Sequence, residues 1–226
     1  MVGMVSLLFM GLALVVILAP IMVRGIGAVC FRATLEHRRL QLEQFQHGDS
    51  ARLAAESAAA QQAREPLYSA LDAFAETDLP RFSGRQKRDM QDEFEEVKGA
   101  LRRLLGPLPG EPNPVLLRHQ YGQTRWSQAR KALSDVLYRQ TWDYPLDDQG
   151  NPLPGKKVYT PRASHFEGTA LYPAFAYLED NLDEILRPRF TIYWRFFTNE
   201  SRDSHFFGGI WPELLGTFYL TLGAML

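Results

Sequence analysis

The run "VSLLFMGLALVVILAPIMV", Val5 to Val23, carries no charged side chain over nineteen residues. As a helix it reaches about 28 Å, close to the hydrocarbon thickness of a bilayer. Lipid offers no partner to a backbone N–H or C=O, so a segment buried there must be helical. A cleaved secretory signal is the rival reading, but its apolar core is shorter, about 7–15 residues, and follows a positive charge. "MVGM" supplies no such charge, which favours a retained span. Pro20, near the end of the run, is tolerated in a membrane helix and is expected to bend its last turn.

Arg24, Arg32, Arg38 and Arg39 follow this segment and no basic residue precedes it. Taken alone, the positive-inside tendency puts residue 30 onward in the cytoplasm. That tendency weakens when the following region is long, and the next apolar stretch begins only near Phe206. The charges bias the orientation without settling it. Over the whole chain 25 basic residues balance 26 acidic ones, so no electrostatic footprint for nucleic acid stands out. Cys30 is the only cysteine, which excludes an intrachain disulfide and a cysteine metal cluster. Val29 directly before it is a poor fit to a lipoprotein cleavage site, so Cys30 reads as a free thiol near the membrane surface.

Between the apolar ends the periodicity is helical. "TLEHRRLQLEQF" places Leu35, Leu42 and Phe45 on one face, and "SARLAAESAAAQQAR" continues in Ala-rich, helix-forming sequence. Met90, Phe94, Val97, Leu101 and Leu104 recur at spacings of four and three, preceded by Ser83 and Gln86 as a capping box. Trp126, Ala129, Leu133 and Val136 give a third stripe. Leu171, Phe175, Leu178, Leu182 and Ile185 give a fourth, which Pro188 ends. "GPLPGEPNP" (Gly106 to Pro114) breaks the helical pattern, and Asp143 to Arg162 reads as a long loop with room for a short hairpin. The expectation is four or five amphipathic helices packed as a bundle or as helical pairs. A stalk made of the Ala-rich portion is the alternative.

Catalytic patterns are weak throughout. "PGKKVYTPR" lacks the first glycine and the Ser/Thr of a phosphate-binding loop. "DDQGN" lacks the alternating acids and closing Glu of a calcium loop. His37, His47, His119, His165 and His205 are scattered, with no pair at metal-ligand spacing. Neighbouring acids such as Glu95 and Glu96, or Asp147 and Asp148, read as solvated. "NES" at Asn199 matches a glycosylation acceptor, a pattern short enough to arise by chance. No catalytic, cofactor-binding or metal-binding residue is assigned, no cofactor is expected, and an enzyme is not.

"RPRFTIYWRFFTNESRDSHFFGGIWPELLGTFYLTLGAML" is the most informative stretch. Phe190, Tyr193, Trp194, Phe196 and Phe197 crowd together with Arg187, Arg189 and Arg195. Rings and guanidinium groups suit a bilayer interface, where apolar bodies and polar tips are both satisfied. A buried soluble helix is the alternative. Gly208 and Gly209 permit a change of direction, Pro212 suits a helix's first turn, and Glu213 lies where the helix dipole favours an anion. Leu214 to Leu226 carries no charge, and Gly216, Thr217, Thr221 and Ala224 share one side, where a neighbouring helix can approach. Those thirteen residues make about 20 Å of helix, short of a crossing.

In two places the residues resemble a family. "WRFFTNESR" followed by "GGIWPELLGTFYLTLGAML" is similar to the approach to the second membrane helix of bacterial phosphate ABC transporter permeases, the A subunit more than its C partner. The shared elements are Phe196, Phe197, Thr198 and Asn199, then Gly209, Ile210, Gly216 and Thr217 opening an apolar helix, with Pro212 inside that opening. "PIMVRGIGAV" is similar, more generically, to the end of the first helix of such permeases.

The resemblance covers about 60 residues at the two ends and not residues 31–189. It implies an all-α integral membrane protein, the front part of a longer permease, with two transmembrane helices here, the second truncated. Residues 1–29 would be the first, 30–189 a helical extracytoplasmic insert, 190–207 an aromatic interfacial segment and 208–226 the start of the second. It further implies a second permease subunit, cytoplasmic ATPase subunits and an extracytoplasmic phosphate-binding protein as partners. Membrane lipid would surround the chain, nucleic acid would play no part, and the location would be the bacterial inner membrane. Substrate-binding residues are not assigned. The other reading is a single-span membrane protein presenting a helical interaction or sensor domain.

Overall fold

The computed structural model describes residues 2–111, 119–145, 154–198 and 209–225. The chain divides into two compact units: residues 1–32 with 190–226, and Ala33–Arg189. Each is built from its own sequence.

In the first unit, helix α1 (Val2–Val29) runs through Pro20 and extends past both ends of the charge-free run. Its stretch Phe9–Val29 is long and apolar enough to cross a membrane, and none of it is buried against protein. Helix α8 (Trp211–Met225) is apolar and exposed all round but has 15 residues, about 22 Å. Of the two membrane helices expected, one has crossing length among the described residues. Strand β1 (Cys30–Ala33), which begins at the free Cys30, pairs with β4 (Arg189–Ile192). Just beyond them the Tyr193 N–H donates to the Val29 carbonyl at 2.7 Å. The chain thus leaves α1 and returns to it at neighbouring points, so everything between is an excursion.

The excursion folds around one hydrophobic core. Helices α2 (Leu35–Phe45) and α3 (Ser50–Ala73) come first. The Asp49 carboxylate caps α3 by accepting from the Ala51 and Arg52 N–H groups at 2.9 and 3.1 Å. A π-helical turn (Phe74–Asp78) and a 3₁₀ turn (Leu79–Arg81) lead to α4 (Gly84–Leu105). Then come α5 (Trp126–Leu137), the strands β2 (Tyr138–Asp143) and β3 (Lys156–Pro161), and the short helices α6 (Tyr172–Asp180) and α7 (Leu182–Leu186).

Three of the sequence stripes supply this core. Phe94, Val97, Leu101 and Leu104 of α4 are buried, as are Ala129 and Val136 of α5, and Met90, Trp126 and Leu133 pack at its edge. Leu171, Phe175, Leu178, Leu182 and Ile185 are all buried, although the helix breaks at Asn181 into α6 and α7. At the centre the Phe74 ring lies 4.8 Å from that of Phe94 and 5.3 Å, edge-on, from that of Phe166. Burial of this apolar surface is what drives the unit together.

Elsewhere the structure corrects the sequence. The Ala-rich helix is no stalk: α3 buries Glu56, Ala60, Leu67 and Leu71. Helix α2 keeps Leu35 of the expected Leu35–Leu42–Phe45 face but buries Glu36, His37 and Leu40 with it, and the Glu36 carboxylate finds the Arg64 guanidinium inside. Ser83 stands at the N-cap of α4 without any side-chain capping bond, so the capping box does not form. The hairpin is longer than expected and begins inside the third stripe's helix end: six pairs run from Tyr138 opposite Pro161 to Asp143 opposite Lys156. Two two-stranded sheets thus accompany a mostly helical fold. Residues 112–118, which begin inside the first expected loop, and 146–153, within the second, lie outside the described residues.

Candidate functional site

Two groups of residues stand out, one in each unit. In the first unit the expected motif is assembled from both sides of residues 199–208, which lie outside the described residues along with Asn199. Trp194–Phe197 form a 3₁₀ turn, held by bonds from the Phe196 N–H to the Tyr193 carbonyl and from the Thr198 N–H to the Arg195 carbonyl. The Ile210 N–H then donates to the Phe196 carbonyl at 2.9 Å, and the Leu214 N–H to the Ile210 carbonyl at 2.9 Å. Phe196 and Ile210, one from each part of the motif, are therefore joined backbone to backbone. Gly209 is buried at this junction, and Phe197 packs edge-on against Phe196 with ring centroids 5.5 Å apart.

Pro212 occupies the first turn of α8 with Glu213, where neither a missing N–H nor a negative charge is costly. The Thr217 hydroxyl donates to the Glu213 carbonyl at 2.8 Å, and the Thr221 hydroxyl to the Thr217 carbonyl at 2.7 Å. Both threonines thus spend their polar hydrogens inside the helix. A Cβ placed on Gly216 would meet nothing within 4 Å, so that side of α8 is open within its unit. The aromatic segment is no buried helix: Phe190 is 68% and Trp194 69% exposed, while Tyr193 is buried.

In the second unit, a cluster of buried charge that the sequence reading missed lies where the chain enters and leaves the domain. Arg38 of α2 donates from Nε to Glu56 Oε2 at 3.0 Å, from Nη1 to the Ala33 carbonyl at 3.2 Å and from Nη2 to the Arg187 carbonyl at 2.8 Å. Arg64 of α3 answers in the opposite direction, from Nη2 to Glu36 Oε1 and from Nε to the Ile185 carbonyl, both at 3.2 Å. Arg189 and Arg52 reach Glu56 Oε1 at 2.8 and 3.3 Å. Glu36 and Glu56 are both buried, and guanidinium partners offset the desolvation of each carboxylate. The incoming chain is fixed as well: the Thr34 N–H donates to the Thr124 carbonyl at 3.1 Å and its hydroxyl to the Gln123 carbonyl at 2.6 Å.

Burial, reinforced by the Arg125 and Arg38 charges, holds the His37 imidazole down to about 3, so it is neutral at ordinary pH. Burial also works to raise the Glu43 carboxyl, but bonds from Tyr121 and Arg39 outweigh it and keep it below the usual range. Tyr121, desolvated and facing that carboxylate, is pushed up to about 12. The one sequence signal for the cluster is periodic: Glu56, Ala60, Ala63, Leu67 and Leu71 fall on one stripe of α3, which puts Glu56 on the inner face.

A void of about 10 Å³ between Leu67, Leu101, Val136 and Phe175 is apolar and holds no more than one water. Among the described residues no group of three or more His, Cys, Asp or Glu side chains is arranged to hold a metal ion. No protein-family model matches the chain, and neither curated proteins nor solved structures give a match.

Proposed function

We propose that this chain belongs to the membrane-spanning permease of an ATP-driven ABC importer for inorganic phosphate, seated multi-pass in a bacterial inner membrane. It performs no covalent chemistry. A second permease subunit completes the pathway, separate cytoplasmic subunits hydrolyse ATP, and an extracytoplasmic binding protein delivers phosphate. The observation that carries this reading is the paired motif: Phe196–Thr198 and Gly209–Thr217 resemble the permease elbow, and the Ile210–Phe196 bond makes them one turn. A helix of crossing length precedes it in the same chain.

On this reading Ala33–Arg189 is an extracytoplasmic module that contacts the binding protein or the partner permease. The arginines after α1 do not oppose that, because long domains translocate largely regardless of charge. The exposed rings of Phe190 and Trp194 lie at the headgroup level, and the Gly216–Thr217–Thr221 side of α8 receives another helix.

Cysteine labelling in intact cells tests the topology, with Cys30→Ser as background and Thr141→Cys on the exposed hairpin as reporter. An impermeant maleimide added outside should label it; labelling only after the membrane is opened would overturn the assignment. Disrupting the gene should abolish high-affinity phosphate uptake. Removing Leu35 to Arg187 with uptake and complex assembly both intact would dispose of the docking role of the module.

The second reading is a single-span protein displaying a helical interaction or sensor domain. Its support is that one described helix, not two, has crossing length. It predicts the opposite labelling result and unchanged phosphate uptake.

A further inference from the structure

The residue by which the chain leaves the domain stands in a conformation its side chain disfavours. Arg187 has φ +45°, ψ +61°, left-handed backbone that L residues other than glycine adopt only at a cost. It caps α7, a five-residue helix that is marginal by itself and has no basic residue in its own last turn. The carbonyls at that helix end have no intrahelical donor. Arg38 and Arg64 supply one each, to Arg187 and Ile185, and both arginines are anchored by buried carboxylates on the facing helix.

We propose that Arg38 and Glu56 form a latch. The Arg38 fork grips Ala33 on the incoming chain and Arg187 on the outgoing chain at once, while Glu56 holds both that fork and Arg189. The latch stores the strained turn at Arg187. When it opens, the outgoing chain from Arg187 to Arg189 comes loose while α7 stays seated, because Leu182, Ile185 and Leu186 belong to the hydrophobic core and the latch residues do not. The domain thereby has a releasable strap where its last residues lead into the aromatic segment. This conformational device does not depend on what the chain transports.

A brace that merely supports the whole domain would give the same contacts, so the test must separate local from global opening. Hydrogen exchange on the full chain in detergent micelles does so. The Arg187 amide, bonded to the Asp183 carbonyl, reports the strap, and the Ile185 amide with Val97–Leu105 of α4 reports the core. Arg38→Ala and Glu56→Gln should each speed exchange over 187–189 by about tenfold or more and leave Ile185 and α4 unchanged. Arg38→Lys should fall between, since one ammonium cannot serve three acceptors held in a fork. Adding Arg187→Gly to Arg38→Ala should return much of the lost protection, because glycine accepts the left-handed backbone freely.

Unchanged exchange over 187–189 would overturn the latch, as would an equal rise at Ile185 and in α4 or a double variant no better protected than Arg38→Ala alone. Should Arg38→Ala not accumulate folded, Arg38→Lys and its combination with Arg187→Gly are read the same way.

Discussion

His37 shows how one residue ties the fold to pH. Its imidazole is buried beside Arg125 and Arg38, and its folded value of about 3 lies well below the ordinary 6.5. The unfolded chain therefore binds a proton that the folded chain refuses, and stability rises with pH wherever that difference exists. The contribution is complete above about pH 6.5 and is lost as pH falls towards 3, at a slope approaching 1.4 kcal/mol per unit, on the order of the linkage limit. His37→Phe should flatten this limb in urea titrations of the domain between pH 4 and 7. An unchanged slope would mean that the acid sensitivity lies in the carboxylates. Helical periodicity could not have announced this site, because a histidine between two charged residues reads as solvated until its neighbours are known.

Among the elements, α4 displays the closest agreement between pattern and packing, and it ends at Leu105, where Gly106 opens the expected break; what covers that end was not readable. The stripe from Phe94 to Leu104 is buried as its spacing demands, since a helix buries one face. What seals the C-terminal end is a close approach of another backbone. The Gln123 N–H donates to the Leu104 carbonyl at 3.0 Å, and a Cβ on Gly122 would stand 2.4 Å from that same oxygen. Gly122→Ala should therefore cost about 1–3 kcal/mol, read as a lower unfolding midpoint with an unchanged denaturant slope. An unperturbed midpoint would show that the loop yields freely. The sequence "QYGQT" contains that glycine in plain view, but nothing local to it says that Leu104 lies against it. The fourth stripe makes the complementary point: all five residues are buried, while the break at Asn181 followed no signal in the periodicity.

For the molecule as a whole, the pairing of β1 with β4 brings together the two ends of the stretch between them. The core cluster lies entirely within Ala33–Arg189. That span, expressed alone, should stay in solution without detergent and unfold cooperatively, with tryptophan fluorescence and circular dichroism coinciding. Non-coincident transitions or aggregation would show that the excursion needs its flanking segments. The paired motif of the first unit was legible as a resemblance in sequence; the bond joining Phe196 to Ile210 was not, since it closes over the residues between them.

Hydrophobic spacing along the chain determined the helical class, the apolar helix of crossing length and the three stripes that fill the core. These follow from the periods of a helix and from what water and lipid will solvate, both local properties. Tertiary structure alone decided that Glu36, His37 and Glu56 face inward, that Arg38 and Arg64 cross between α2 and α3, and that Ala33 and Arg187 meet. A buried charge is tolerated only where a partner stands, and those partners come from segments as far apart in sequence as Arg38 and Arg187.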